Sequence, residues 1–509
     1  MMLLVYSETT AASLESRLGL PEHSYYFLLK AFLPALQKLG EVRVIEQPLT
    51  QADAIYDDCQ ARGIACCLLS FSAPQNTTLG LRCPTIPVFA WEFDRVPHEV
   101  WDDDPRQDWA YVFARVAGAI SCSRFGVEAV ERTLGPQPHL AAITAPIYDR
   151  YAHLGQARQG INRFTLSFRG SSYDSAADDL QAFADRLLPA PPPPAPPAAE
   201  LEAPPVAVAQ ARGVAWRLRR TAAYAAAWYR EVVRELLPSP LANALTQLLA
   251  RWRQARVAVL AAPVDPLPAL PPVPPPTTPA PVRAAPSLRS IELQGVIYTA
   301  VFNPYDGRKN WTDILSAFCL ALQDEEQATL LLKFTHHDPQ VGWPELISYL
   351  RRLPARRCRV VALHGYLDQD SFEQLISASS YIVNDSVGEG LCLPLAEFMA
   401  AGCPALAPAH TAMSEYMSAA TGFVLHGSPE PFVFPHDPRF MIRTQRYRMD
   451  WAQLAQAFRD SFQLATQDPQ AYAQMSQAAR SSLCAYSSDA VVDAALRAFL
   501  QRVLPQVAP

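Results

Sequence analysis

The residues in this chain whose types and spacing suit chemistry are acids and cations placed where apolar runs end. Glu389 and Glu397 stand eight residues apart in "EGLCLPLAE", with Pro394 and a run of apolar residues between them. If the segment is one helix, two acids flanking an apolar stripe need no ligand. If it is a loop turning into a helix, both acids can point into one cleft. The second reading fits the context, because "SYIVND" reads as a buried strand ending just before "SVGEG", and proline suits the first turn of a helix. Glu389 then lies on the loop at the strand's carboxyl end, and Glu397 about one turn inside the helix. Gly388 and Gly390 let backbone N–H groups approach an anion closely, and the helix dipole favours negative charge there. An anion alone gains nothing from two glutamates, whereas a ligand with hydroxyl groups on both sides of a diphosphate does. Cations for such a ligand stand in "GRKNW", where Arg308 and Lys309 precede a helix, and at the end of "LLLK", where Lys333 serves structure as readily as binding. Glu92 and Asp94 of "WEFD" follow a strand in the first half of the chain.

These residues need strand ends to hold them, and the chain supplies two sets. In the second half, "VIYTAVF", "ATLLLKF", "CRVVALHG", "SYIVND" and "PALAPA" read as short buried strands between amphipathic helices at about 311–322, near 344–353, over "SFEQLISAS" and from about Leu393. The first half repeats the alternation with "MLLVY", "EVRVIE", "CCLLSF", "IPVFAWE" and "GAISCS". Apolar strands alternating with helices imply parallel sheets covered on both faces, with ligands at the strand carboxyl ends. Nearly half of the 47 prolines fall between Pro189 and Pro286, in runs that favour extended chain over a packed core. The divisions expected are therefore a first domain at 1–150, a connecting segment at 151–188, a proline-rich insert at 189–289, a second domain at 290–485 and a C-terminal helix at 486–509 that packs back across the halves. Within the insert, Val206–Ala262 holds nine arginines, no lysine and only Glu231 and Glu235 as acids. Its apolar stripes, from Leu218 to Leu236 and from Leu241 to Val259, suggest two basic amphipathic helices. Such helices suit an anionic membrane surface, a protein partner or the enzyme itself.

The net charge of −6 argues against nucleic-acid binding. Ten scattered cysteines with no paired spacing read as buried free thiols of a reducing compartment. With no basic leader and no apolar run of about 18 residues, the expected location is cytoplasmic, peripheral at the inner face of the cell membrane if the insert binds lipid.

The segment "SVGEGLCLPLAEFMAAGCPALAP" closely resembles the E-x7-E segment of retaining glycosyltransferases of family 4. The likeness runs from about Val296 to Gly427 in the family's order, through "FNPYDGRKNW", "LLLKFT" and "VVALHGYLDQDSFEQLISASSYIVNDS". It implies a GT-B fold, in which two Rossmann-like parallel-sheet domains face a cleft, here with the proline-rich helical insert between them. It also implies transfer of a hexose from a nucleoside diphosphate sugar to a hydroxyl of a glycan or lipid-linked glycan, with retention and without a cofactor. Glu389 would contact the donor sugar and help stabilise an oxocarbenium-like transition state, and Glu397 would bind the ribose diol. Leu391, Cys392 and Leu393 would line the donor site beside them, and Lys309 matches the family's phosphate-binding lysine.

The sequence also departs from the family. Asn303 stands where the family has an arginine, so either Arg308 substitutes or the diphosphate is held by fewer charges and more helix-terminal N–H groups. Gly365, Tyr366 and Leu367 would read the base through backbone groups, with Tyr366 placed to stack. The first half resembles the family more weakly, in "GLPEHSYY" and "VFAWEFDRVPHEVW", and would carry the acceptor site, with Gly19, His23, Asp94 and His98 as candidates. Many members have a histidine near "WEFD"; here Glu92 takes over that role or His98 reaches in. The Asp-x-Asp of "WDDDP" lies ten residues past its strand and reads as a loop and cap rather than a metal site. The alternatives are a nucleotide-sugar epimerase of the same fold, which needs further acid–base residues, and an inactive glycosyltransferase-like scaffold.

Overall fold

The computed structural model describes residues 1–20, 22–155, 158–187 and 288–504, with scattered positions between 221 and 245. Apart from those positions, the proline-rich insert and its expected helices at 206–262 lie outside the described residues. The chain divides into one unit of Met1–Pro189 with Pro286–Pro509 and another of Ala190–Ala285.

The larger unit holds two mainly parallel sheets, the second with antiparallel additions. The first contains β1 (Met2–Ser7), β2 (Glu41–Val44), β3 (Cys66–Phe71), β4 (Thr85–Phe89), β5 (Ala119–Ser121) and β6 (Leu140–Ala142), in the order β2-β1-β3-β4-β5-β6. Every residue of β3 and β4 is buried, as their unbroken apolar runs require when both faces of a sheet are covered. The helix His23–Leu39 turns Leu28, Leu29, Phe32 and Leu36 onto this sheet.

In the second half, β7 (Asn162–Arg169) and β8 (Ser171–Asp174) precede β9 (Leu288–Phe302), β10 (Ala328–Phe334), β11 (Arg359–His364), β12 (Tyr381–Val383), β13 (Ala405–Pro408) and β14 (Gly422–Leu425). The sheet order is β14-β13-β12-β9-β10-β11-β8, and β7 pairs the first half of β9. Segment 151–188 is therefore more than a connection, since it adds two strands to the second sheet. The alternation of "NRFTLSFR" was available in the sequence, but its partner lies beyond the insert. On one face of β9 and β10, Tyr298, Ala300, Leu330 and Leu332 pack together, and on the other Ile297 and Leu331 do. Two mainly parallel sheets meeting at one cleft form the GT-B architecture that the sequence resemblance implies.

A further element was not expected from the sequence. After β14, the strands β15 (Gly427–Val433) and β16 (Arg443–Met449) pair only with each other and form an antiparallel arm. Phe434 of the arm packs at ring-centroid distances of 5.6 Å from Trp91 and 5.3 Å from Phe93, both in the first domain. The chain returns through the helix Asp489–Val503, whose Phe499 and Val503 lie beside Gly118 of the first domain. Among the described residues, no helix is long and apolar enough to cross a membrane.

Candidate active site

The cleft between the sheets is a cavity of about 1510 Å³ lined by both domains. Along the carboxyl edge of the second sheet, the strand order places the loop after β12 beside the loop after β9, followed by the ends of β10 and β11. Glu389, Lys309, Lys333 and Gly365 follow or end these four strands in that sequence.

Lys309 Nζ donates to Glu389 Oε1 at 2.5 Å. Burial alone would push the Glu389 carboxyl up, but Lys309 and then Arg308 outweigh it and hold the group below its usual range. The Glu389 N–H donates to Thr411 Oγ1 at 3.0 Å, and its carbonyl accepts from Ala412 N at 3.2 Å, so the loop is pinned at both ends of the residue. Arg308 is bonded to Asp306 at 2.9 Å and to Glu92 of the opposite domain. Two carboxylates thus already neutralise the cation expected to compensate for Asn303.

Glu397 lies in the helix Leu393–Ala400, whose N-cap Cys392 makes no side-chain capping bond and whose first turn holds Pro394, which has no N–H. Tyr151 OH donates to Glu397 Oε1 at 3.2 Å. Burial pushes the Glu397 carboxyl up to about 7, against the pull of Arg150, Tyr151 and Lys30. Leu391, Cys392, Leu393, Gly365, Tyr366 and Leu367 also line the cleft. Cys392, at the helix start, has a φ of 61°, an uncommon backbone state for a residue with a side chain.

Several candidates do something other than expected. Gly388 and Gly390 line the cleft, but what they accommodate is the neighbouring domain's backbone. A Cβ on Gly390 would lie 2.5 Å from Trp91 N, and one on Gly388 would lie 3.2 Å from Glu92 O. Asn303 faces Gly19, with its Nδ2 donating to the Gly19 carbonyl at 2.8 Å. Gly19 itself has a φ of +80°, and a Cβ there would meet His336 Cδ2 at 2.5 Å. Gly19 and Asn303 therefore clasp the two domains together. Asp94 is outside the cleft lining, and its Oδ1 accepts from Thr444 Oγ1 and Gln445 N of the arm, both at 2.8 Å. His98 is outside the cleft lining, and its Nδ1 lies 3.1 Å from Val96 O. His23 does line the cleft, with Nδ1 2.7 Å from Leu20 O, and burial pulls its imidazolium downward in pKa. Asp104 accepts from Arg106 N at 3.0 Å as a local cap.

The arm also contributes to the site. Tyr447 N donates to Val387 O at 3.0 Å, and the Tyr447 ring stacks on His410 at 4.0 Å, next to the Thr411 that holds Glu389. Sequence reasoning missed this contribution because the proline-broken run "GSPEPFVFP" reads as loop.

No protein-family model and no curated protein matches the chain. Among solved structures, HepE of Anabaena in complex with UDP and glucose is 11% identical, covers 98% of this chain and 99% of its own, and has a TM-score of 0.46. A glycosyltransferase from Rickettsia africae is 8% identical over 99% of this chain and 98% of its own, with a TM-score of 0.48. Sucrose-phosphate synthase from Thermosynechococcus elongatus is 21% identical over 42% of this chain and 46% of its own, with a TM-score of 0.31.

Proposed function

We propose that this chain transfers a hexose from a nucleoside diphosphate sugar to a hydroxyl of a glycan or lipid-linked glycan, with retention at the anomeric carbon. The observation that carries this reading is the Lys309–Glu389 pair at the sheet edge, with Glu397 on the helix that starts beside it. A nucleotide sugar lying along that edge offers its ribose diol to Glu397 and its sugar to Glu389. Its diphosphate meets Lys309 and the helix terminus. When the anion arrives, Lys309 exchanges one carboxylate partner for phosphate oxygens, and Glu389 is freed to face the sugar as positive charge develops there. Retention rests on the sequence resemblance. An epimerase would need a further acid–base pair at the sugar, and none of the groups described above supplies one.

A screen of nucleoside diphosphate sugars by thermal stabilisation tests the reading. A true donor at about 100 times its dissociation constant stabilises the fold by about 2.7 kcal/mol. With that donor, Glu397→Ala raises KM by an amount worth about 1–2 kcal/mol. Glu389→Gln instead lowers kcat with little change in KM. Wild-type kinetics in both variants would refute the assignment. From its sequence alone, we also read the basic segment 206–262 as the part that meets an anionic membrane. Replacing it with a flexible linker should abolish sedimentation with anionic vesicles and spare donor binding; equal sedimentation with and without the segment, at low and high salt, refutes it.

A further inference from the structure

We propose that Lys333 is a phosphate-binding residue that holds the part of the donor's diphosphate nearer the nucleoside; this rests on the donor reading above. The other two cations at the sheet edge are committed, Arg308 to Glu92 and Asp306 and Lys309 to Glu389. Lys333 forms no ion pair among the described residues. Its Nζ donates to Phe334 O at 2.8 Å and to Thr335 Oγ1 at 3.4 Å. In its charged form the group has three donors, so one is left over.

The residue lines the cleft although only 4% of its surface is exposed. Burying a cation with no acid opposite is costly, and here burial alone pulls the ammonium down to about 7. Such a position is poised to take up an anion.

Topology says which part of the anion this is. The edge runs β12-β9-β10-β11, with neighbouring strands about 4.8 Å apart. A ligand whose sugar is at Glu389, after β12, and whose base is at Gly365, after β11, crosses the ends of β9 and β10 between them. Lys309 serves the first crossing and Lys333 the second. Lys333 pairs with Val301 in register, and Asn303 follows two residues later, just past the end of β9. Asn303 brings no charge there and is held by Gly19.

The test is calorimetric titration of wild type, Lys333→Met and Lys309→Ala with UDP, GDP and ADP and with the corresponding nucleosides. The expected result is that Lys333→Met weakens the preferred diphosphate by roughly 10–100-fold, leaves its nucleoside unchanged and melts no lower than wild type. Lys333→Arg, which keeps the charge, should recover part of the loss. Unchanged diphosphate affinity in Lys333→Met, beside a loss in Lys309→Ala, overturns this assignment and leaves the donor reading standing. Equal losses for diphosphate and nucleoside, or a lower melting temperature, mark a base contact or a structural role and overturn it as well. A wild-type chain that binds none of the diphosphates overturns the donor reading itself.

Discussion

Replacing Lys309 with methionine separates the stability of the site from its chemistry. The Lys309 and Glu389 side chains are 18% and 7% exposed and meet at 2.5 Å. In the variant, Glu389 keeps a weak bond from Asn384 Nδ2 at 3.5 Å, the Ser386 hydroxyl and the more distant charge of Arg308. Removing one partner of a buried pair costs about 3–5 kcal/mol, because the other charge is left uncompensated. The open side of the cleft places this case near 3 kcal/mol on that scale. The pH dependence has a definite sign. Glu389 is held below its ordinary 4.5, so its stabilisation is present above that value and is lost as pH falls through the folded pKa. Lys309 is raised above 10.5, so its share is complete below that value and is lost at higher pH. Urea denaturation at pH 8 should therefore show the full deficit of Lys309→Met, and the deficit should shrink as the pH falls below 4.5. Adding Glu389→Gln should restore most of the stability while leaving the enzyme inactive, giving a coupling term that the double-mutant cycle reads directly. Equal urea midpoints for wild type and Lys309→Met at pH 8, or a deficit that persists unchanged in acid, would refute the electrostatic account of this pair.

Two further outcomes follow from the domain contacts. Gly390→Ala sets a Cβ against the backbone of Ala90 and Trp91, at 2.9 Å and 2.5 Å, where no side chain can yield. It should cost about 1–3 kcal/mol and most of the transfer activity while sparing diphosphate affinity, and full activity in a steady-state assay would contradict the close approach. Asp94→Ala removes two charge-assisted bonds to the arm, each worth about 1.5–3 kcal/mol, so amide hydrogen exchange across Arg443–Met449 should accelerate. Unchanged exchange there would show that Asp94 does not hold the arm.

What the sequence disclosed follows the range of the interactions involved. Strands such as "ATLLLKF" are buried on both faces, so their identity is written in a few adjacent residues. The segment from Glu389 to Glu397 likewise carries its strand, loop and helix start within a short span. Other candidate residues have distant partners that the sequence did not show. Asp94 looked like a cleft acid, but the hydroxyl it binds lies 350 residues further on. Asn303 looked like a weakened phosphate contact, and its partner Gly19 belongs to the other domain. Gly388 and Gly390 were read as letting backbone approach an anion, and what stands close to them is the other domain's backbone, which a single sequence cannot tell from a ligand. The arm escaped notice because Pro429 and Pro431 are tolerated only where a strand has a free edge, and that edge exists only in three dimensions.

The arm changes the mechanics of the cleft. The chain crosses between the domains near Ile147–Asp149 and returns near Ser487–Asp489, and the two crossings are tied to each other by Ile147 N to Ser487 O at 3.1 Å and Asp489 N to Asp149 Oδ2 at 2.7 Å. Two strands of chain running side by side behave as a single hinge pin, about which the domains would swing like a door. The arm is that door's latch, fastened by Asp94 to Thr444 and by Glu99 to Arg439 at 3.1 Å. Any swing of the domains apart would have to undo those bonds, which lie on residues outside the Glu389 loop. Because Tyr447 on the same arm holds Val387 of the Glu389 loop, lifting the latch also pulls on the loop that carries Glu389.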